Sequence, residues 1–190
     1  MRHTLRMTAA LLLTTAFVAT GRAGAQGSVT PNMPKVGEVA PDFTLTAATA
    51  KGISAAPVTL SSLKGRTVVL AFFPRQRSSG CTIQMQAYRD KYDSLFHGGK
   101  DVSLFGVSTD SAKDVASWAA EAHFQFTFLA DPSGEMAKKY ATFNATRNYD
   151  NRIVFVVAPS GKISYVAAFN PNDPMAYEAL GKAINDAKGM

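Results

Sequence analysis

The chain holds one cysteine, Cys81, in the stretch "FFPRQRSSGCTIQMQAYR" from Phe72 to Arg89. An apolar run ends at Pro74, and a short turn of basic and small residues follows. Cys81 then falls at the start of a helical pattern. A helix N-terminus presents N–H groups without intrahelical acceptors and a positive potential. Both favour the thiolate, which is the nucleophilic form of sulfur. Arg75 and Arg77 in the same turn add positive field, and Gly80 lets the backbone approach closely. The fourth residue of "CTIQ" is Gln84, so there is no C-x-x-C dithiol, and a lone cysteine forms no disulfide within the chain. Two readings of Cys81 remain open on this ground. It is either an inert thiol in the core or a reactive one whose oxidation is its purpose.

The elements that must position it follow from the apolar patterning. "TVVLAFF", Thr67 to Phe73, is a continuous β-branched and aromatic run, as expected of a strand buried on both faces. Cys81, Met85, Tyr88, Tyr92, Leu95 and Phe96 recur at helical spacing, and Gly98 and Gly99 stop the pattern. "VSLFGVST" is a second buried strand, and "DSAKDVASWAAEA" a helix capped at Asp110 or Ser111. "FTFLAD", Phe126 to Asp131, is a third strand, and "PSGEMAKKYAT" a short helix. "RIVFVVAP" and "ISYVAAF" form a hairpin through "SGK". "DPMAYEALGKAINDAKG" is the last helix, with Pro174 near its start. Upstream, "DFTLTAA" alternates as a short strand, and the segment ending in "LSSLKG" reads as a hairpin or loop. This order predicts an α/β protein with a thioredoxin-like fold, a mixed central sheet flanked by helices, and an N-terminal extension.

That extension divides in two. "MRHTLRM" is basic, the run from Met7 to Ala19 is apolar, and Ala23 and Ala25 give a small-x-small pattern. Residues 1–25 are expected to be a secretory signal peptide, 26–34 a flexible leader and 35–190 the domain, which places the protein in a bacterial periplasm or outside the cell. The formal charge of +6 falls to near +3 once Arg2, Arg6 and Arg22 leave. The remaining basic residues are scattered, so no nucleic-acid surface is expected. His97 and His123 stand far apart with no Cys or acidic cluster, so no metal site is expected. No cofactor is expected either, because sulfur can carry the chemistry.

A thiolate can attack one oxygen of a peroxide, leaving a sulfenic acid and expelling water or an alcohol. The step needs hydrogen-bond donors on both oxygens as the O–O bond stretches. Ser78, the N–H groups of Gly80 and Cys81, and Arg152 just before "IVFVVAP" are the candidate donors. The segment "LSSLKGRTVVLAFFPRQRSSGCTIQMQAYRDKY" resembles the active-site region of peroxiredoxins, within the alkyl hydroperoxide reductase and thiol-specific antioxidant superfamily. It is most similar to the bacterioferritin-comigratory-protein type. "KVGEVAPDFTL", "DVSLFGVSTDSAKDVASWA", "FTFLADPSGEMAKKY" and "RIVFVVAPSGKI" also resemble that family in order, so the likeness spans nearly all of Lys35 to Ala187.

The resemblance implies roles. Cys81 matches the peroxidatic cysteine, and Pro74 the proline that opens the active-site loop and shields the sulfur. Ser78 stands where a threonine is usual, and Arg152 matches the arginine that stabilises thiolate and substrate. Arg89 is either a support of the site or an ordinary surface arginine. Ser79 replaces a frequent proline, and Gln86 occupies the position of the resolving cysteine in some relatives. A one-cysteine peroxidase is therefore implied. It would act on hydrogen peroxide or organic hydroperoxides and be reduced by an external thiol such as a thioredoxin-like protein, a glutaredoxin or a small thiol. A monomer or weak homodimer is implied as well. The alternatives are a non-catalytic redox sensor or binding protein of the same fold, and a thiol-disulfide exchange protein.

Overall fold

The computed structural model describes residues 32–190. Its centre is the apolar run picked out above, β4 (Thr67–Phe72), in which every residue is buried. Side chains alternate across a strand. Val69 and Ala71 therefore join the core on one face of the sheet, and Val68, Leu70 and Phe72 join that on the other.

Parallel to β4 lies β5 (Val102–Ser108), and parallel to β5 lies β6 (Thr127–Ala130). On the other side of β4 run β9 (Ile153–Val157) and β10 (Ile163–Ala168), both antiparallel to their neighbours. The far edge is built from β1 (Thr44–Thr49), antiparallel to β6, with the short β2 (Gly52–Ile53) and β3 (Val58–Thr59) folded back on β1. Eight strands thus make one mixed sheet.

Helices α1 (Ser79–Asp90), α2 (Tyr92–Phe96), α3 (Ala112–Glu121) and α5 (Pro174–Ala187) contribute to the core with Val69 and Ala71. The short α4 (Glu135–Lys139) packs on the opposite face with Tyr140 and the N-terminal entry. The caps follow the sequence. The Ser111 hydroxyl accepts from the N–H of Asp114 at the start of α3. Asp173 does the same for Met175 at the start of α5, where Pro174 occupies the first turn. This is the thioredoxin-like arrangement that the element order predicts.

Three details differ from the sequence reading. The helix expected to run on from Cys81 breaks at Lys91 (φ −102°, ψ 15°), although its apolar spacing continues into α2. A small separate hairpin, β7 (Phe143–Asn144) with β8 (Tyr149–Asp150), precedes β9. The domain also begins before residue 35, because Met33 and Pro34 are buried and Met33 packs in the core. The expected signal segment lies outside the described residues, among which no helix is long and apolar enough to cross a membrane.

Candidate active site

The ladder of β4 continues one residue past the strand, where the Phe73 N–H donates to the Val107 carbonyl. Pro74 has no N–H and ends it. The chain then turns through a loop pinned at two places. The Gln76 N–H donates to an Asp110 carboxylate oxygen that also accepts from the Ser108 hydroxyl. Arg77 takes the left-handed conformation (φ 55°) and directs its guanidinium to Glu121 and Ser117. Arg77 is thus committed to α3, and the positive field expected of it at the sulfur is spent on Glu121. Arg75 is exposed.

Helix α1 starts with Ser78 as its N-cap, and Cys81 is the third residue inside it. The first helical bond runs from the Thr82 N–H to the Ser78 carbonyl at 2.8 Å. The Ser78 hydroxyl does not cap the helix. It donates instead to the Arg75 carbonyl at 2.9 Å. No acidic residue occupies the first turn. The N–H groups of that turn are thus left for an anion, and no carboxylate offsets their potential.

Cys81 is fully buried. Its partner comes from the start of β9: the Arg152 Nη2 donates to Sγ at 3.2 Å. The other terminal nitrogen, Nη1, donates to Gln84 Oε1. Gln84 Nε2 donates in turn to the Tyr88 hydroxyl at 2.9 Å. Gln84 and Tyr88 are both buried, and burial pushes the Tyr88 phenol far above its usual range. Tyr88 therefore keeps its proton and serves Gln84 as an acceptor. Arg152 is held by two buried polar groups that would otherwise go unpaired, which fixes the plane of its guanidinium.

The structure thus brings Cys81 and Arg152 into contact. It places Pro74, half-buried, at the end of the strand that enters the loop, and it turns the Ser78 hydroxyl toward Arg75. Arg89 lies outside this chain of bonds and ties α1 to the end of α3 through the Ala122 carbonyl. In the sequence alone Gln84 marks only the absence of a second cysteine, and Tyr88 only an apolar helix face. The spacing of Gln84 three residues after Cys81, with Tyr88 four further on, puts all three on one helix face and was the available signal. Among the described residues no group of three or more His, Cys, Asp or Glu is placed to hold a metal ion.

Gly80 is part of the fit. A Cβ there would stand 3.2 Å from Arg152 Nη2. Gly80→Ala is expected to slow oxidation of Cys81 by about 10-fold through displacement of the guanidinium. It should change thermal stability little, because the helix preference of alanine offsets part of what is lost at the Arg152–Gln84 bond. Rapid-mixing rates and a melting curve on the same sample check this, and an unchanged rate contradicts the close fit.

A family model, described as the AhpC/TSA family, matches residues 36–166. The chain belongs to that family. Peroxiredoxin Bcp of Escherichia coli (strain K12) is 30% identical over 141 residues, covering 71% of this chain and 86% of that protein. The chloroplastic peroxiredoxin Q of Triticum aestivum is 32% identical over 146 residues, covering 76% of this chain and 64% of that one. Solved AhpC/TSA-like structures share the fold. The crystal structure of Enterococcus faecalis AhpC superposes with a TM-score of 0.72 at 20% identity, covering 83% of this chain and 94% of that one. Peroxidoxin BcpB from Mycobacterium tuberculosis gives 0.67 at 23% identity, covering 80% and 97%.

Proposed function

We propose that this protein is a one-cysteine, thiol-dependent peroxidase of the AhpC/TSA family. The observation that carries the reading is the Arg152 guanidinium on Cys81 Sγ at the N-terminus of α1. Membership of a family whose similar members are named peroxiredoxins supports it.

The geometry performs the step as follows. Arg152 and the first-turn N–H groups stabilise the thiolate of Cys81. The sulfur attacks one peroxide oxygen, an S–O bond forms and the O–O bond breaks. Sulfur loses two electrons, and the departing hydroxide or alkoxide takes up a proton and leaves as water or alcohol. Arg152 carries charge to where it moves during this exchange. The Ser78 hydroxyl reaches the peroxide by rotating off the Arg75 carbonyl. Because the chain has one cysteine, an external thiol closes the cycle. A first thiol displaces water from the sulfenic acid to give a mixed disulfide, and a second releases Cys81 with formation of the external disulfide. A thioredoxin-like protein, a glutaredoxin or a small thiol fits this role, and the chain acts as a monomer or weak homodimer. The basic and apolar character of residues 1–25 supports export to a periplasm or the exterior.

The test is turnover. With excess dithiothreitol and hydrogen peroxide, peroxide loss should run for many equivalents per protein and be absent in Cys81→Ser. Oxidation that stops after one equivalent despite excess thiol would favour the sensor reading instead.

A further inference from the structure

The segment between β10 and α5, Phe169 to Asp173, lies over the active-site turn. A Cβ at Gly80, the residue before Cys81, would meet Pro171 Cγ at 4.0 Å as well as Arg152. The segment is fastened at each point. The Phe169 N–H donates to the Arg152 carbonyl at 3.0 Å, so the wall and the catalytic arginine share one backbone contact. The Tyr177 hydroxyl, from the first turns of α5, donates to the Pro171 carbonyl at 3.0 Å. The Tyr177 ring meets Phe169 edge-on at 5.0 Å between centroids and Tyr88 at 6.1 Å. The Asn170 side chain accepts from the Asn172 N–H, and the Asp173 N–H returns to the Asn170 carbonyl.

Phe169 anchors the segment in the core, with Tyr177 packed against it, while Pro171 and Asn172 border open space. Pro171 and Tyr177 line a cavity of about 280 Å³ together with Lys91, Asn172, Pro174 and Glu178. A wall that stands against the reacting turn on one side and a cavity on the other keeps its position through its fastenings. Among these the Tyr177–Pro171 bond is a side-chain one that a single atom change removes. Cys81, next to Gly80, is fully buried, so every peroxide has to pass what surrounds the sulfur, and a bulky one displaces more of it.

We infer that the Phe169–Asp173 segment, held by Tyr177, is the specificity wall of the peroxide site. It admits hydrogen peroxide and excludes hydroperoxides with bulky tertiary or aryl groups. The inference rests on the peroxidase reading above. Tyr177 acts through Pro171 and is a positioning residue, since it touches neither Cys81 nor Arg152 by hydrogen bond.

The experiment measures the rate of Cys81 oxidation by hydrogen peroxide and by cumene hydroperoxide in the full chain, Tyr177→Phe and Pro171→Gly. Wild type should react far faster with hydrogen peroxide. In both variants the rate with cumene hydroperoxide should rise about 10-fold, the scale at which steric discrimination in a pocket is set. The rate with hydrogen peroxide should stay within about two-fold, a split that a merely structural role would not produce. A ratio of the two rates unchanged in both variants overturns the wall, as does a parallel rise with both peroxides. If wild-type Cys81 reacts with neither peroxide faster than free cysteine, the peroxidase reading itself has failed and the wall falls with it.

Discussion

Arg152→Met is expected to slow the reaction of Cys81 with hydrogen peroxide by about 10²–10³-fold, the usual cost of losing one preorganised donor at a reacting centre. The side chain supplies the hydrogen bond to Sγ and the positive charge beside it. Methionine keeps much of the volume and neither of these. Arg152→Lys keeps the charge but cannot donate in a fixed fork to both Sγ and Gln84, so it should fall between wild type and Arg152→Met. Arg152→Met also leaves the buried Gln84 Oε1 short of its donor, which costs about 1–3 kcal/mol of stability. Rates should therefore be measured well below the lowered melting temperature. Rapid-mixing traces of thiol loss give the comparison, and rates within three-fold of wild type would remove Arg152 from the mechanism.

The second large effect concerns Asp150 at the end of β8. It is fully buried, and neither carboxylate oxygen has a hydrogen-bond partner among the described residues. Burial, and then the nearby carboxylates of Asp131 and Asp110, push its pKa up to about 8. The ordinary value of 3.8 applies to the unfolded chain. The folded state therefore holds a proton that the unfolded state releases. Between these two values the unfolded state gains stability as pH rises, and native stability falls by about 1.4 kcal/mol per pH unit from this group alone. The contribution is fully present below the unfolded value and gone once pH passes the folded one. Asp150→Asn holds the neutral form at every pH. Its urea midpoint should be well above that of wild type at pH 8, and the two should converge near pH 4. Parallel pH profiles for the two proteins would show that Asp150 ionises freely in the fold.

The parts of this molecule that were legible in the sequence are those set by local pattern. The run of β-branched and aromatic residues from Thr67 could only be a central strand, and it is. Ser111, one of the two caps expected for α3, is the one used, and Pro174 stands at the start of α5 as expected. Cys81 and Arg152 stand 71 residues apart, and what suggests the pairing in the sequence is the place of Arg152 at the start of a neighbouring strand together with the matched order of segments.

What stayed hidden depends on tertiary contact. "NYDNR" reads as polar loop, and nothing local says that Asp150 is sealed from water. Gln84 reads only as the residue that denies a second cysteine until Arg152 arrives from the start of β9 to use its side-chain carbonyl. Pro171 reads as a residue of a connection ahead of α5, and only folding lays it over Gly80. The break at Lys91 escapes notice because a change of direction at one residue leaves the apolar spacing intact.

The central claim is that Cys81 is an activated nucleophile toward peroxide. The most direct measurement mixes the reduced protein with one equivalent of hydrogen peroxide, traps the product with dimedone and reads the adduct by mass, with Cys81→Ser as control. The expected result is one adduct, at Cys81, formed at least about 100-fold faster than the reaction of free cysteine under the same conditions, as preorganised donors at the sulfur require. Oxidation at the pace of free cysteine would contradict the account and leave Cys81 a buried thiol of the core.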